Sequence, residues 1–275
     1  MAESLNINVL IRVYNRLSDL QVCLETIRNN WNLNNYHIII VSSGASEGFA
    51  IPESIKILAN QVIEISSNSG LLGGNRALLM KGIESISTEN PITVILEADT
   101  WIFSDKIIQK YSKILINSDS VWASAEWIEK YYSLALDFAI IKTAFLKSDY
   151  QIFTFTKHAE SYVYNYLTRN QKKYIHIKEA MPVHQPSRLR SLLHLYGGRV
   201  RGFSRVPMVT HHIEDIKTGL TGKMRAANIV CGKLVFEKAG PKFPAISNRF
   251  YKLYEFLVRF FPRSTWIRRK KVRTC

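Results

Sequence analysis

The sequence predicts an α/β fold: a mostly parallel central sheet with helices on both faces. Two observations carry that prediction. Short apolar, β-branched runs recur at residues 7–14 (INVLIRVY), 37–41 (HIIIV), 61–65 (QVIEI) and 92–96 (ITVIL), the composition of strands buried on both faces. Helix-period segments separate them, and strands alternating with helices build a parallel sheet.

The elements follow in order. After the first strand, Leu17, Leu20, Leu24, Ile27 and Trp31 recur at helical spacing over residues 17–31. The second strand is stopped by the turn-rich SSGASEG. The third leads into SSNSGLLGG, with a helix expected to start near Asn75 and end near Ile86. The fourth runs into Glu97, and a helix is expected over about 104–116. Beyond it the pattern is less regular. Residues 120–128 and 134–141 read as strands, 158–169 as a helix and 173–178 as a short strand. Pro182, Pro186, Gly197, Gly198, Gly202 and Pro207 mark 182–212 as a mobile, acceptor-facing stretch. The expected organisation is one domain over 1–245, with halves of about 1–118 and 119–245, and an appended segment over 246–275.

Bulk composition narrows the function classes. With 47% hydrophobic residues the chain can bury a sizeable core. Its 37 basic and 22 acidic side chains give a formal charge of +15, which favours polyanionic partners. The charge is uneven. The first hundred residues are near balance, whereas 249–273 carry Arg249, Lys252, Arg259, Arg263, Arg268, Arg269, Lys270, Lys271 and Arg273 against Glu255. Phe250, Tyr254, Leu257 and Phe261 share one helical face there. A basic amphipathic segment of this kind suits an anionic membrane surface.

Cys23, Cys231 and Cys275 are far apart and odd in number, which argues against a disulfide framework or a cysteine-based zinc site. The start MAESLNINVLIRVYN lacks the pattern of a secretion signal, and no uncharged apolar run reaches the roughly 18 residues of a membrane span. The expectation is a cytoplasmic protein, peripheral at the inner face of the plasma membrane.

The chemistry-bearing segment is VILEADTWIF. Glu97 and Asp99 emerge where an apolar strand ends. Hard divalent cations such as Mg²⁺ or Mn²⁺ take oxygen ligands, and a metal there can clamp a diphosphate as it leaves. Strand ends in a parallel sheet converge on one crevice, so Tyr14–Arg16, Ser42–Gly44, Ser67–Arg76 and Glu97–Thr100 should surround it.

INVLIRVYNRLSDLQVCLETI, HIIIVSSGAS, SNSGLLGGNRALLMKGI and VILEADTWIF occur in that order. The succession resembles the GT-A glycosyltransferases, which include the large inverting family-two group, over residues 6–105. A looser likeness covers 120–145 and 208–220. The resemblance implies a Rossmann-like GT-A sheet and a metal-dependent transfer of sugar from a nucleotide-diphosphate donor to a glycan or lipid-linked acceptor, as in polysaccharide or lipopolysaccharide synthesis. It implies that Tyr14, Asn15, Ser42, Asn75, Arg76 and Glu97 bind the nucleotide sugar. It also implies that Asp99 and Glu97 hold the metal, with His211 or His212 completing the shell. Asp137, a carboxylate inside the apolar run SLALDFAII, reads as a structural residue, an acceptor-binding group or the general base, with Glu214 and Asp215 as rivals for the base. Two departures stand out: Arg12 replaces a frequent proline, and Ser42 and Ser43 stand where an acid often reads the base. A basic nucleic-acid-binding protein, a nucleotidyltransferase and a scaffold that has lost its donor are the alternatives. No nucleic-acid module is recognisable, and VYNRLSD lacks the glycine-rich basic loop of a nucleotidyltransferase.

Overall fold

The computed structural model describes residues 4–66, 69–126, 132–177, 199–203, 206–210, 219–231 and 233–239. Ten strands lie in this part of the chain: β1 Asn6–Val13, β2 Asn35–Ser42, β3 Gln61–Glu64, β4 Ile92–Glu97, β5 Trp101–Ile102, β6 Ser120–Ser124, β7 Phe138–Lys142, β8 Lys173–His176, β9 Arg199–Phe203 and β10 Val206–Thr210. The helices are α1 Leu17–Asn30, α2 Glu53–Lys56, α3 Gly70–Ser85, α4 Lys106–Ile116, α5 Thr143–Ser148, α6 Ala159–Arg169 and α7 Gly219–Cys231.

Seven strands form the main sheet in the order β3-β2-β1-β4-β7-β6-β8. All neighbours run parallel except β7, which opposes both β4 and β6. This is the mostly parallel α/β sheet that the strand–helix alternation requires. A second, antiparallel sheet joins β5, β10 and β9.

The central strand β1 is buried along its length after Asn6. Alternation along the pleat sends Ile7, Val9, Ile11 and Val13 into one core and Leu10 into another. The first core collects Leu20, Leu24 and Ile27 of α1, Ile107, Ile108 and Leu115 of α4, and Ala226 and Ala227 of α7. The second collects Leu78, Leu79 and Ile83 of α3, Phe145 and Leu146 of α5, and Val163 and Leu167 of α6. Apolar burial on both faces, at about 25 cal/mol per Å², drives the assembly. One polar residue interrupts β1: Asn8 is buried, donates to the Ser87 carbonyl (2.9 Å) and accepts from Asn90 (2.8 Å). These bonds satisfy a group that would otherwise be costly to bury.

Several boundaries differ from the sequence expectation. The largest shift is in α3, which begins at Gly70 rather than near Asn75. Gly73 and Gly74 lower helix propensity by about 1 kcal/mol each, yet Leu72, Leu78 and Leu79 pack into the second core and carry the helix through them. Gly82 lies so close to the sheet that a Cβ there would stand 2.3 Å from Leu10 Cδ1. Expected strand 134–141 begins only at Phe138, and 120–128 ends at Ser124. Part of the stretch expected to be mobile is regular. β9 and β10 pair as a hairpin, and β10 pairs with β5 through Met208–Ile102 and Val209–Trp101. Cys23 and Cys231 are free thiols. Among the described residues no helix is long and apolar enough to cross a membrane. His211, His212, Glu214, Asp215 and the 246–275 tail lie outside the described residues.

Candidate functional site

Because β1, β2 and β4 run parallel, their carboxyl ends share one edge of the sheet. A cavity of about 840 Å³ opens there, within the size range of small-molecule and cofactor sites. The end of β1 contributes Arg12–Arg16, and the end of β4 contributes Glu97–Asp99. Gly70, Gly74 and Asn75 of α3 and Lys157–Glu160 at the start of α6 complete most of the wall. The loop after β2 supplies Ser43. Gly44 is obligatory there, since a Cβ would come 2.2 Å from the Tyr14 carbonyl oxygen. The loop therefore packs directly on the Tyr14 backbone.

Two arginine–carboxylate pairs organise the cavity. Arg12 and Glu97 are register partners on β1 and β4, so both side chains leave the same face. Arg12 Nη2 lies 3.2 Å from Glu97 Oε1 and 2.5 Å from the Leu136 carbonyl oxygen, and Nη1 donates to Asn75 Oδ1. The Arg12 side chain is 2% exposed and that of Glu97 24%. The second pair is looser. Arg16 Nε is 3.8 Å from Asp99 Oδ2, and Arg16 Nη1 is 4.0 Å from Asp19 Oδ2. Asp99 is buried.

Glu160 brings a third carboxylate to the wall. Burial raises its pKa, and the charges of Glu97 and Asp137 push in the same direction, opposed by Arg12 and by its own backbone hydrogen bond. Just before it, His158 adopts φ 46°, a left-handed conformation that is costly for a residue with a Cβ.

The residues expected to bind a nucleotide sugar divide into two sets. Tyr14, Asn15, Asn75, Glu97 and Asp99 all line the cavity. The Tyr14 hydroxyl donates to Glu47, and its ring meets Phe49 edge-on at 5.6 Å. Arg76 is exposed on α3, outside the lining, because consecutive helix residues point about 100° apart and Asn75 takes the cavity-facing position. Ser42 is fully buried and accepts the Gly44 N–H at 3.4 Å, so it closes a turn while Ser43 faces the cavity. Asp137 is 2% exposed and absent from the lining. Its Oδ1 accepts the Phe138 N–H (3.0 Å), and its carbonyl accepts the Glu97 N–H (3.0 Å). The Glu97 contact is therefore made by the Asp137 backbone, while its carboxylate meets the Phe138 N–H.

Sequence reasoning put Arg16 at the crevice without giving it a role, and passed over Lys157, His158, Glu160 and Lys223. A signal existed for Lys223. In GLTGKMRAANIVC, helical spacing puts it on one face with Ala226 and Ala227, so a lysine interrupts an apolar stripe.

Glu97 and Asp99 offer the oxygen donors that Mg²⁺ or Mn²⁺ takes. Each already carries an arginine partner, however, and among the described residues no group of three or more His, Cys, Asp or Glu side chains is placed to hold a metal ion. Two carboxylates nonetheless fit an ion whose remaining ligands are phosphate oxygens and water.

No protein-family model matches the chain, and no curated protein sequence matches it. Solved structures do. TarS 1-349 from S. aureus is 14% identical, with a TM-score of 0.44 over 58% of this chain. The chain spans 55% of the length of that TarS structure. Mouse xyloside xylosyltransferase 1 in its apo form is 11% identical, with a TM-score of 0.46 over 68% of this chain and 90% of that one. The mannosyltransferase PcManGT from Pyrobaculum calidifontis, in complex with GDP-Man and Mn²⁺, is 12% identical, with a TM-score of 0.47 over 94% of this chain and 82% of that one.

Proposed function

We propose that the protein is a glycosyltransferase that moves a sugar from a nucleotide-diphosphate donor, bound in the cavity at the carboxyl edge of the sheet, to a glycan or lipid-linked acceptor. One observation carries this reading. Tyr14, Asn15, Asn75, Glu97 and Asp99, far apart in sequence and each part of the GT-A-like motif succession, line a single cavity. Its size suits a nucleotide sugar.

The chain's own residues divide the work. Tyr14 and Asn15 stand at the base and ribose end. Arg16 and Lys157 offer cationic groups to phosphate oxygens. Arg12, tied to Glu97, Asn75 and the Leu136 carbonyl, keeps the floor rigid. Transfer needs a group to take the proton from the attacking hydroxyl. Asp137 is buried and outside the cavity lining, and Glu214 and Asp215 lie outside the described residues. Glu160 lines the cavity and takes that role in this reading. Displacement inverts the anomeric centre.

A divalent ion, if bound, would be held by Asp99 and Glu97, with His211 or His212 as the remaining protein ligand, and would neutralise the departing diphosphate. The 246–275 tail brings the enzyme to an anionic membrane surface on the cytoplasmic side; deleting it should release the chain from anionic vesicles.

A thermal-shift panel of UDP-, GDP-, dTDP- and CMP-sugars, with and without Mn²⁺, tests the reading. Stabilisation by one nucleotide sugar is expected, because a ligand that binds only the folded state raises Tm. Asp99→Ala should abolish transfer while the chain stays folded. No stabilisation by any donor, or full transfer by Asp99→Ala, would overturn the proposal.

A further inference from the structure

Lys223 is buried with its side chain at 0% exposure, about one turn into α7. Its ammonium has three neighbours. It lies 2.6 Å from Asp19 Oδ1, donates to the backbone carbonyl of Asp99, and sits 4.1 Å from the centroid of the Trp101 ring. Taking an ammonium out of water is costly, and a methionine would fill the same space without that cost. The partners indicate why a charge is kept there. Asp19 uses its other oxygen on Arg16 (4.0 Å), and Arg16 in turn faces the Asp99 carboxylate (3.8 Å). Lys223, Asp19, Arg16 and Asp99 therefore form a closed circuit. Asp99 belongs to it twice, through its carbonyl to Lys223 and through its carboxylate to Arg16. Two members of the circuit, Arg16 and Asp99, line the cavity; the other two lie behind them.

We infer that Lys223 is a positioning residue for nucleotide-diphosphate binding. It fixes the orientation of Asp99 directly and that of Arg16 through Asp19, and so makes the seating of α7 a condition for a competent site. The inference rests on the cavity being the nucleotide-sugar site. A simple structural tie between α7 and α1 would need the Asp19 contact alone. The bond to the Asp99 carbonyl, 124 residues away in sequence, places the same ammonium on the segment that carries the cavity's acid.

The test uses the full chain and whichever of UDP, GDP and dTDP raises the wild-type Tm most. Lys223→Met should weaken its binding by about 10- to 100-fold, the range seen when a supporting outer partner is removed, and should also lower stability by stranding the Asp19 carboxylate. The double variant Lys223→Met/Asp19→Asn removes that stranded charge. It should regain much of the stability but none of the affinity, since Arg16 has then lost its anchor. If Lys223→Met does not fold, the double variant alone decides. Wild-type affinity in either variant, or recovery of affinity in step with stability, overturns the inference and leaves the proposed function standing. A wild-type chain that binds none of the three nucleotides overturns both.

Discussion

The two arginine–carboxylate pairs at the cavity are anchored in opposite ways. Arg12 and Glu97 sit on adjacent parallel strands, and the ladder itself sets their approach. Their supports, Asn75 and the Leu136 carbonyl, close around a guanidinium that is 2% exposed. Arg16 and Asp99 sit past the strand ends, with Arg16 28% exposed, and depend on Asp19 and on Lys223 from α7. The strand-held pair belongs to the folding core and is costly to break. The loop-held pair is the longer, at 3.8 Å against 3.2 Å, and its geometry is set by side chains from α1 and α7. One cavity thus carries a strand-held floor and a loop-held lip.

Four substitutions break or sharpen this contrast. Arg12→Met should cost the most, about 3 kcal/mol, because it leaves the Glu97 carboxylate beside Glu160 and Asp137 without its cation; the urea midpoint reads it. Gly82→Ala tests how firmly α3 presses on the strand bearing Arg12. Its Cβ would meet Leu10 carbons at 2.3, 2.6 and 2.9 Å. Overpacking outweighs the helix-propensity gain of about 1 kcal/mol, for a net loss of about 1–2 kcal/mol. Calorimetry should show a lower Tm. Arg16→Ala should cost less stability than Arg12→Met, because Arg16 is 28% exposed, lies 3.8 and 4.0 Å from the carboxylates of Asp99 and Asp19, and leaves Lys223 beside Asp19. It should nevertheless weaken nucleotide binding measurably by titration calorimetry. A loss of stability equal to that of Arg12→Met would erase the distinction between floor and lip.

The smallest effect concerns Glu160→Gln. The folded pKa of Glu160 lies above its ordinary value of 4.5, so between the two values the folded protein binds the proton more tightly than the unfolded chain. Its contribution favours folding below pH 4.5 and turns against folding as pH rises through the folded value. Glu160→Gln should therefore be slightly more stable than wild type at pH 7, with the gain vanishing toward pH 4. Thermal melts across that range check the sign.

The first hundred residues were the legible part. Strands buried on both faces write themselves as unbroken β-branched runs, and β1, β2 and β4 lie within a residue or two of the runs that announce them. The start of α3 was not legible, because glycine propensity opposes a helix that only packing of Leu72 and Leu78 on the sheet justifies. Asp137 is an acid in an apolar run, and periodicity leaves its structural, acceptor-binding and base readings open; the structure adds that it is buried outside the cavity lining. Glu160 and Lys223 reach the site only through tertiary folding. A lone glutamate in a first helical turn carries no local mark of the cavity it will join, whereas the lysine's interruption of an apolar stripe did.

The reversed direction of β7 has an outcome of its own. β6 ends on the same edge as β4, and β7 starts there. The connection from Ser124 to Phe138 therefore departs from and returns to the sheet edge at which the cavity opens. Its length can change while every hydrogen-bonded ladder stays in place.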